Sequence, residues 1–160
     1  MLFVGAFTIV FVIFLFWREY TSYLRRELLV LRTFRNMLRD MKDKMRCYLD
    51  SPRSWSLGYE NDILSDSGFL GALRGGADLL EAYVTCREKL CISQETDSVL
   101  FSLFSRAGEG YIDTELEAME CALEGLSAIE STMVDEVNKK TKVSGAVLGA
   151  FAAGIIILVM

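Results

Sequence analysis

Four cysteines and twenty-two carboxylates are the side chains from which this 160-residue chain could build chemistry, and it has no histidine to assist them. Without imidazole there is neither a Ser-His-Asp nor a Cys-His arrangement, and no histidine ligand for a metal. Cys86 and Cys91 stand five apart, outside the C-x₂₋₄-C spacing of zinc modules. Glu117, Glu120 and Glu124 share one helical face and could be imagined as carboxylate metal ligands. Di-iron bundles, however, require Glu-x-x-His pairs from facing helices, so a solvated acidic face is the expectation. Gly108-Glu109-Gly110 matches only the first three positions of a G-x-G-x-x-G phosphate cradle, and there is no P-loop. No catalytic residue, cofactor, metal or small-molecule substrate is therefore expected, and the chain reads as a non-enzyme. The cysteines, Cys47, Cys86, Cys91 and Cys121, are expected as free thiols that act as small buried hydrophobes.

The elements that position these residues read as helices. There is a single proline, Pro52, and few β-branched runs occur in the middle of the chain. From Tyr20 the apolar positions Leu24, Leu28, Leu31, Leu38, Met41, Met45 and Tyr48 advance in steps of 3, 4 and 7, which is helical periodicity. DSPRSW stops it, and SLGYENDILSDSG reads as loop carrying at most a short helix. FLGALRGG breaks at Gly75-Gly76, ADLLEAYVTCREKL is helical again, and Ser93 or Thr96 can cap the helix in ETDSVLFSLFSRA. Gly108 and Gly110 close that helix, and Asp113 opens the longest run, with Leu116, Met119, Leu123, Leu126, Met133 and Val137 at helical spacing.

The two ends of the chain differ from its middle. Leu2–Trp17 and Val143–Met160 contain no charge. As helices they reach roughly 24 and 27 Å, near the ~30 Å of a hydrocarbon core. A cleaved signal peptide does not fit the first: it lacks a basic n-region and no small-x-small site follows. A segment without a polar face is also hard to bury in so small a soluble domain. The expectation is an all-α, membrane-anchored helical bundle: anchor 1–17, central domain 18–142 with about five to six helices, anchor 143–160. Arg18, Arg25, Arg26 and Arg32 follow the first anchor, and Lys139, Lys140 and Lys142 precede the second. The positive-inside bias puts the central domain in the cytoplasm and both termini outside.

Charge also predicts how the long helices meet. Residues 18–46 hold nine basic and four acidic side chains, while residues 113–138 hold eight acidic and no basic ones. Both helices enter the same membrane from one side, so they run antiparallel, and their opposite signs favour direct pairing. The basic run RREL…RTFRNMLRDMKDK has the density of a phosphate-binding stripe, but the chain is net −5 and nucleic acid is not an expected partner. In residues 47–138, five basic face eighteen acidic side chains, a field that would steer a basic partner. In the second anchor Gly145, Gly149 and Ala153 recur every four residues, a face that lets another transmembrane helix approach closely.

An N-terminal anchor, an arginine-rich long helix, a small helical domain, an acidic helix and a K-x-x-G-x-x-x-G terminal anchor together resemble the stage III sporulation protein AB family of endospore-forming bacteria. The likeness is best from about Phe69 to Met160. Glu81-Ala82-Tyr83 sits where that family tends to carry an aromatic after alanine. LFSLFSRAGEGYIDTELEAMECAL resembles its stretch that ends one helix at glycine and opens the last with aspartate, here Gly110 and Asp113, while Glu109 and Glu117 depart from its pattern. The resemblance implies a cytoplasmic domain similar to the F-type platform protein of type II secretion. It implies a platform or adaptor subunit of a channel complex at the mother-cell membrane, with a secretion-type cytoplasmic ATPase and further membrane subunits as partners. Partner contacts are then expected at the membrane-distal end and along the acidic last helix, at Gly110, Asp113, Glu117, Glu120 and Glu124. The rival reading is a small pore-forming or holin-like protein, whose anchors would need polar faces; Leu2–Trp17 offers only Thr8.

Overall fold

The computed structural model describes residues 2–48, 51–107 and 111–159. The side chains of residues 2–7, 9, 10, 48, 52, 144, 148, 151–153 and 155–159 lie outside that description. Among the described residues the regular structure is entirely helical: α1 Leu2–Tyr48, α2 Pro52–Leu57, α3 Asp62–Ser67, α4 Phe69–Gly75, α5 Leu79–Cys86 with a 3₁₀ turn Arg87–Lys89, α6 Gln94–Phe104 and α7 Ile112–Val159. The all-α expectation holds. The chain divides into two compact units, Glu27–Ser131 and Met1–Arg26 with Thr132–Met160.

Within Glu27–Ser131, α1 and α7 run antiparallel, as their ion pairs show. Arg32 Nε donates to Glu130 Oε1 at 2.7 Å, Arg35 Nη1 bonds Glu130 Oε2, and Lys42 Nζ lies 3.3 Å from Glu120 Oε1. The contacts advance along α1 as they retreat along α7. The apolar seam read from periodicity is the one buried: Leu31, Leu38, Met41 and Met45 on α1, Met119 and Leu126 on α7. Phe34 stands at the centre of the core, edge-on to Phe69 at 5.7 Å and to Tyr83 at 5.9 Å. Phe104 closes the set, 6.2 Å from Phe69 and 5.3 Å from Tyr83. Offset and edge-on geometries of this kind add about 0.5–1.5 kcal/mol per pair beyond area burial.

Four of the short helices, α2, α3, α5 and α6, start on a side-chain cap. Ser51 Oγ accepts the Ser54 N–H at 3.2 Å ahead of Pro52, whose fixed φ suits a first helical position. Asn61 Oδ1 accepts from Leu64, Asp78 Oδ1 from Glu81 and Ser93 Oγ from Thr96, at 3.1, 2.6 and 3.2 Å. Gly68 and Gly76, with φ of 92° and 101°, make the left-handed turns on either side of α4. The short helix allowed in SLGYENDILSDSG is α3; the unforeseen one is α2, most of which lies in DSPRSW, read from the sequence as the stop after α1. Both α2 and α3 form, giving seven helices among the described residues instead of five to six, and each buries a large apolar side chain, Trp55 and Leu64. The Trp55 ring lies 4.5 Å from that of Tyr59, and its Nε1 donates to Asp40 Oδ2 at 2.7 Å.

In the other unit, Lys140 Nζ sits 5.8 Å from the centroid of the Tyr20 ring and 3.2 Å from Glu136 Oε2. The six successive residues Phe11–Phe16 are each between 41 and 71% exposed. Among the described residues no helix is long and apolar enough to cross a membrane. The spans expected at 1–17 and 143–160 fall, for more than half of their residues, on side chains outside the description.

Candidate interaction surface

Asp113, Glu117, Glu120 and Glu124 follow one another at steps of four, three and four residues, which places them on one stripe of α7. All four are exposed. Asp113 lies in the first turn of α7, where the helix dipole favours a negative charge. The stripe is not wholly free. Asp113, Glu117 and Glu120 line a groove of about 320 Å³ together with Leu116 and with Lys42 and Arg46 of α1. Glu120 is committed there to Lys42, although its own side chain remains 65% exposed. Glu117 and Glu124 make no ion pair with another described residue. Gly110, expected to join this surface, lies outside the described residues.

Among the described residues, nothing packs on the small-residue face of α7 at Gly145 and Gly149. A Cβ added at Gly145 or Gly149 would meet nothing within 4 Å, and Ala153, the third member, has its side chain outside the description.

A larger cavity, of about 380 Å³, was not foreseen from the sequence. It lies where the ends of α1 and α6 meet the starts of α2, α5 and α7. Met45, Leu79, Leu103 and Met119 form its apolar wall, and Arg53 and Arg106 stand at it. The sequence signal that could have found it is faint: both arginines belong to the five basic residues of an otherwise acidic 47–138 stretch.

The cysteines divide. Cys86 is buried and Cys91 half-buried, but Cys47 and Cys121 are exposed, contrary to the expectation of four buried hydrophobes. All four are free. Burial pushes the Cys86 thiol up to about 11, so it is protonated and unreactive at neutral pH; its Sγ donates to the Tyr83 carbonyl at 3.3 Å. Burial, then the hydrogen bond it donates to Asp97 at 2.6 Å, raises the Tyr83 hydroxyl above the ordinary phenolic range. Among the described residues no group of three or more cysteine and carboxylate side chains is placed to hold a metal ion. No protein-family model, no curated protein and no solved structure matches this chain.

Proposed function

We propose that the chain is a membrane-rooted, non-enzymatic platform or adaptor subunit that docks a cytoplasmic ATPase, of the kind implied by its resemblance to the stage III sporulation protein AB family. The observation that carries the membrane part is the run Phe11–Phe16. Six successive helical positions point to every side of α1, and all are apolar and exposed. An apolar surface that encircles a helix needs an apolar surround on all sides, which lipid supplies and a single protein partner does not. Arg18, Arg25 and Arg26 beyond it, and Lys139, Lys140 and Lys142 before the second uncharged stretch, match the cytoplasmic edge of a two-pass protein. The central domain then faces the cytoplasm of the mother cell. Glu117 and Glu124, exposed and unpaired on α7, are the side chains best placed to meet a basic face of the ATPase, while other membrane subunits meet the Gly145/Gly149/Ala153 face.

Labelling with a membrane-impermeant maleimide tests the topology, and the exposed Cys47 and Cys121 are the thiols to read. They should react only after the cells are opened; reaction in intact cells would refute the cytoplasmic assignment. For docking, Glu117→Lys with Glu124→Lys should lower co-purification of the ATPase at unchanged expression, and undiminished capture would remove this stripe from the interface.

A further inference from the structure

The acidic stretch 47–138 has five basic side chains, and their fates differ. Arg74 donates to the carbonyls of Ser56 and Tyr59, at 3.1 and 2.8 Å. Arg87 lies 4.0 Å from Asp97, and Lys89 is exposed in the 3₁₀ turn. The remaining two, Arg53 and Arg106, the first and last of the five along the chain, converge on the 380 Å³ cavity. Neither makes an ion pair with a described residue. The Arg53 guanidinium lies along the glycine turn after α4: a Cβ at Gly76 would stand 3.7 Å from its Nη1. Two carboxylates share the cavity, but both are engaged. Asp78 caps α5 through the Glu81 N–H at 2.6 Å, and Glu115 is not free either. What the cavity offers a visitor is therefore an apolar wall, two guanidiniums that make no ion pair with a described residue, and two carboxylates that already have partners.

We propose that this helix-end cavity is a docking pocket for an acidic, apolar-tipped segment of a partner protein. A bulky apolar side chain enters between Met45, Leu79, Leu103 and Met119, and carboxylates beside it pair with Arg53 and Arg106. The volume falls within the ~300–1,000 Å³ of pockets that hold ligands. Charge complementarity selects the occupant. Basic side chains also line α1, at Arg39, Lys42 and Arg46, so charge alone does not choose the site; two arginines beside an apolar wall suit a segment that is both acidic and apolar-tipped. Tyr111 favours a protein over a small anionic amphiphile. It is 88% exposed in the turn leading to Thr114 and Glu115, which line the cavity. A protein segment would cover that ring, and tyrosine and arginine concentrate binding energy at protein interfaces. An amphiphile enclosed in the cavity would leave it in water. The inference does not rest on the membrane reading or on the acidic stripe of α7.

A random dodecapeptide library displayed on phage and panned against the detergent-purified full-length protein tests it. Enriched sequences should place Asp or Glu beside Leu, Phe or Met. The leading peptide, made synthetically with a fluorescein label, should bind at least about tenfold more weakly to Arg53→Glu/Arg106→Glu. Ala118→Phe, which narrows the cavity and keeps both arginines in the chain, should weaken it comparably. Circular dichroism melts that match the parent protein show that both variants fold. Glu124→Gln, about 9 Å along α7 from Ala118, should leave the affinity within about twofold, since distant sites act independently; failure of the ATPase-docking stripe and failure of this pocket are thus told apart. No enrichment, enrichment of basic peptides, or binding that survives both cavity variants overturns the proposal. So does arginine-dependent binding of sodium dodecanoate without peptide enrichment, which would assign the cavity to an amphiphile.

Discussion

Glu130→Ala removes the carboxylate that two arginines of α1 share, and the size of its effect follows from how far each partner is out of water. The Arg32 side chain is 47% exposed, so its pair contributes ~0–1 kcal/mol. Arg35 is only 23% exposed, Glu130 12%, and Arg35 Nε is buried without a hydrogen-bond partner. Loss of Glu130 therefore strands a guanidinium that already has one donor unanswered. Stripping a buried charge of its partner costs about 3–5 kcal/mol; with both side chains partly hydrated we expect about 2 kcal/mol. At ~4–8 °C per kcal/mol for a unit of this size, the midpoint of thermal unfolding should fall by roughly 10 °C. Near-ultraviolet circular dichroism of the full-length protein in detergent follows the loss of packing directly. Arg32→Ala should lower the midpoint by only a few degrees, and added salt should erase that smaller effect first. Arg35→Met/Glu130→Met, which removes both charges and keeps the volume, should recover much of the loss. If Glu130→Ala destabilises no more than Arg32→Ala, the Arg35 pair is an ordinary solvated one and the reasoning fails.

Phe34→Ala empties the centre of the four-ring cluster and should cost about 4 kcal/mol, visible as a lower denaturant midpoint; a change under about 1 kcal/mol would mean the cluster collapses around the gap. Stability should fall as pH rises above ~9. The folded state keeps protons on Cys86, pushed up from 9.0 to about 11, and on the raised Tyr83 hydroxyl, while the unfolded chain releases them. Cys86 alone should account for ~2 kcal/mol between pH 9 and 11, and Cys86→Ala should flatten that part of the curve. Gly149→Leu puts a branched side chain on the small-residue face of α7 and should reduce recovery of membrane subunits in cross-linking; unaltered assembly would return the glycines to mere tolerance.

The long helices were legible because they repeat. Leu24 to Met45 and Leu116 to Val137 span enough turns for the 3.6-residue period to emerge, and the opposite net charges of residues 18–46 and 113–138 anticipated the direct pairing seen at Arg32, Arg35, Lys42, Glu120 and Glu130. PRSWSL and DILSDS occupy fewer than two turns each, too short for any period to show. Their local signs are the cap, Ser51 or Asn61, and for α2 the proline after it, and these residues also suit a turn. What decides for helix is tertiary: Trp55 and Leu64 are fully buried against the rest of the unit. The acidic stripe of α7 was read correctly as a face, but not the loan of Glu120 to Lys42, which depends on the partner helix. The helix-end cavity was illegible for the same reason at longer range. Nothing local to Arg53 or to Arg106 says that the start of α2 and the end of α6 arrive at one place.

The burial of Trp55 has an optical consequence. The chain has two tryptophans, Trp55 inside Glu27–Ser131 and Trp17 in the other unit. Trp55, held by Asp40 and stacked near Tyr59, is beyond the reach of an aqueous quencher until its unit opens. In a Trp17→Phe protein, the whole of the indole emission becomes a gauge of that single event. Subtracting it from the parent spectrum leaves the signal of Trp17, so each unit carries its own lamp and the two can be followed in one cuvette without any added dye.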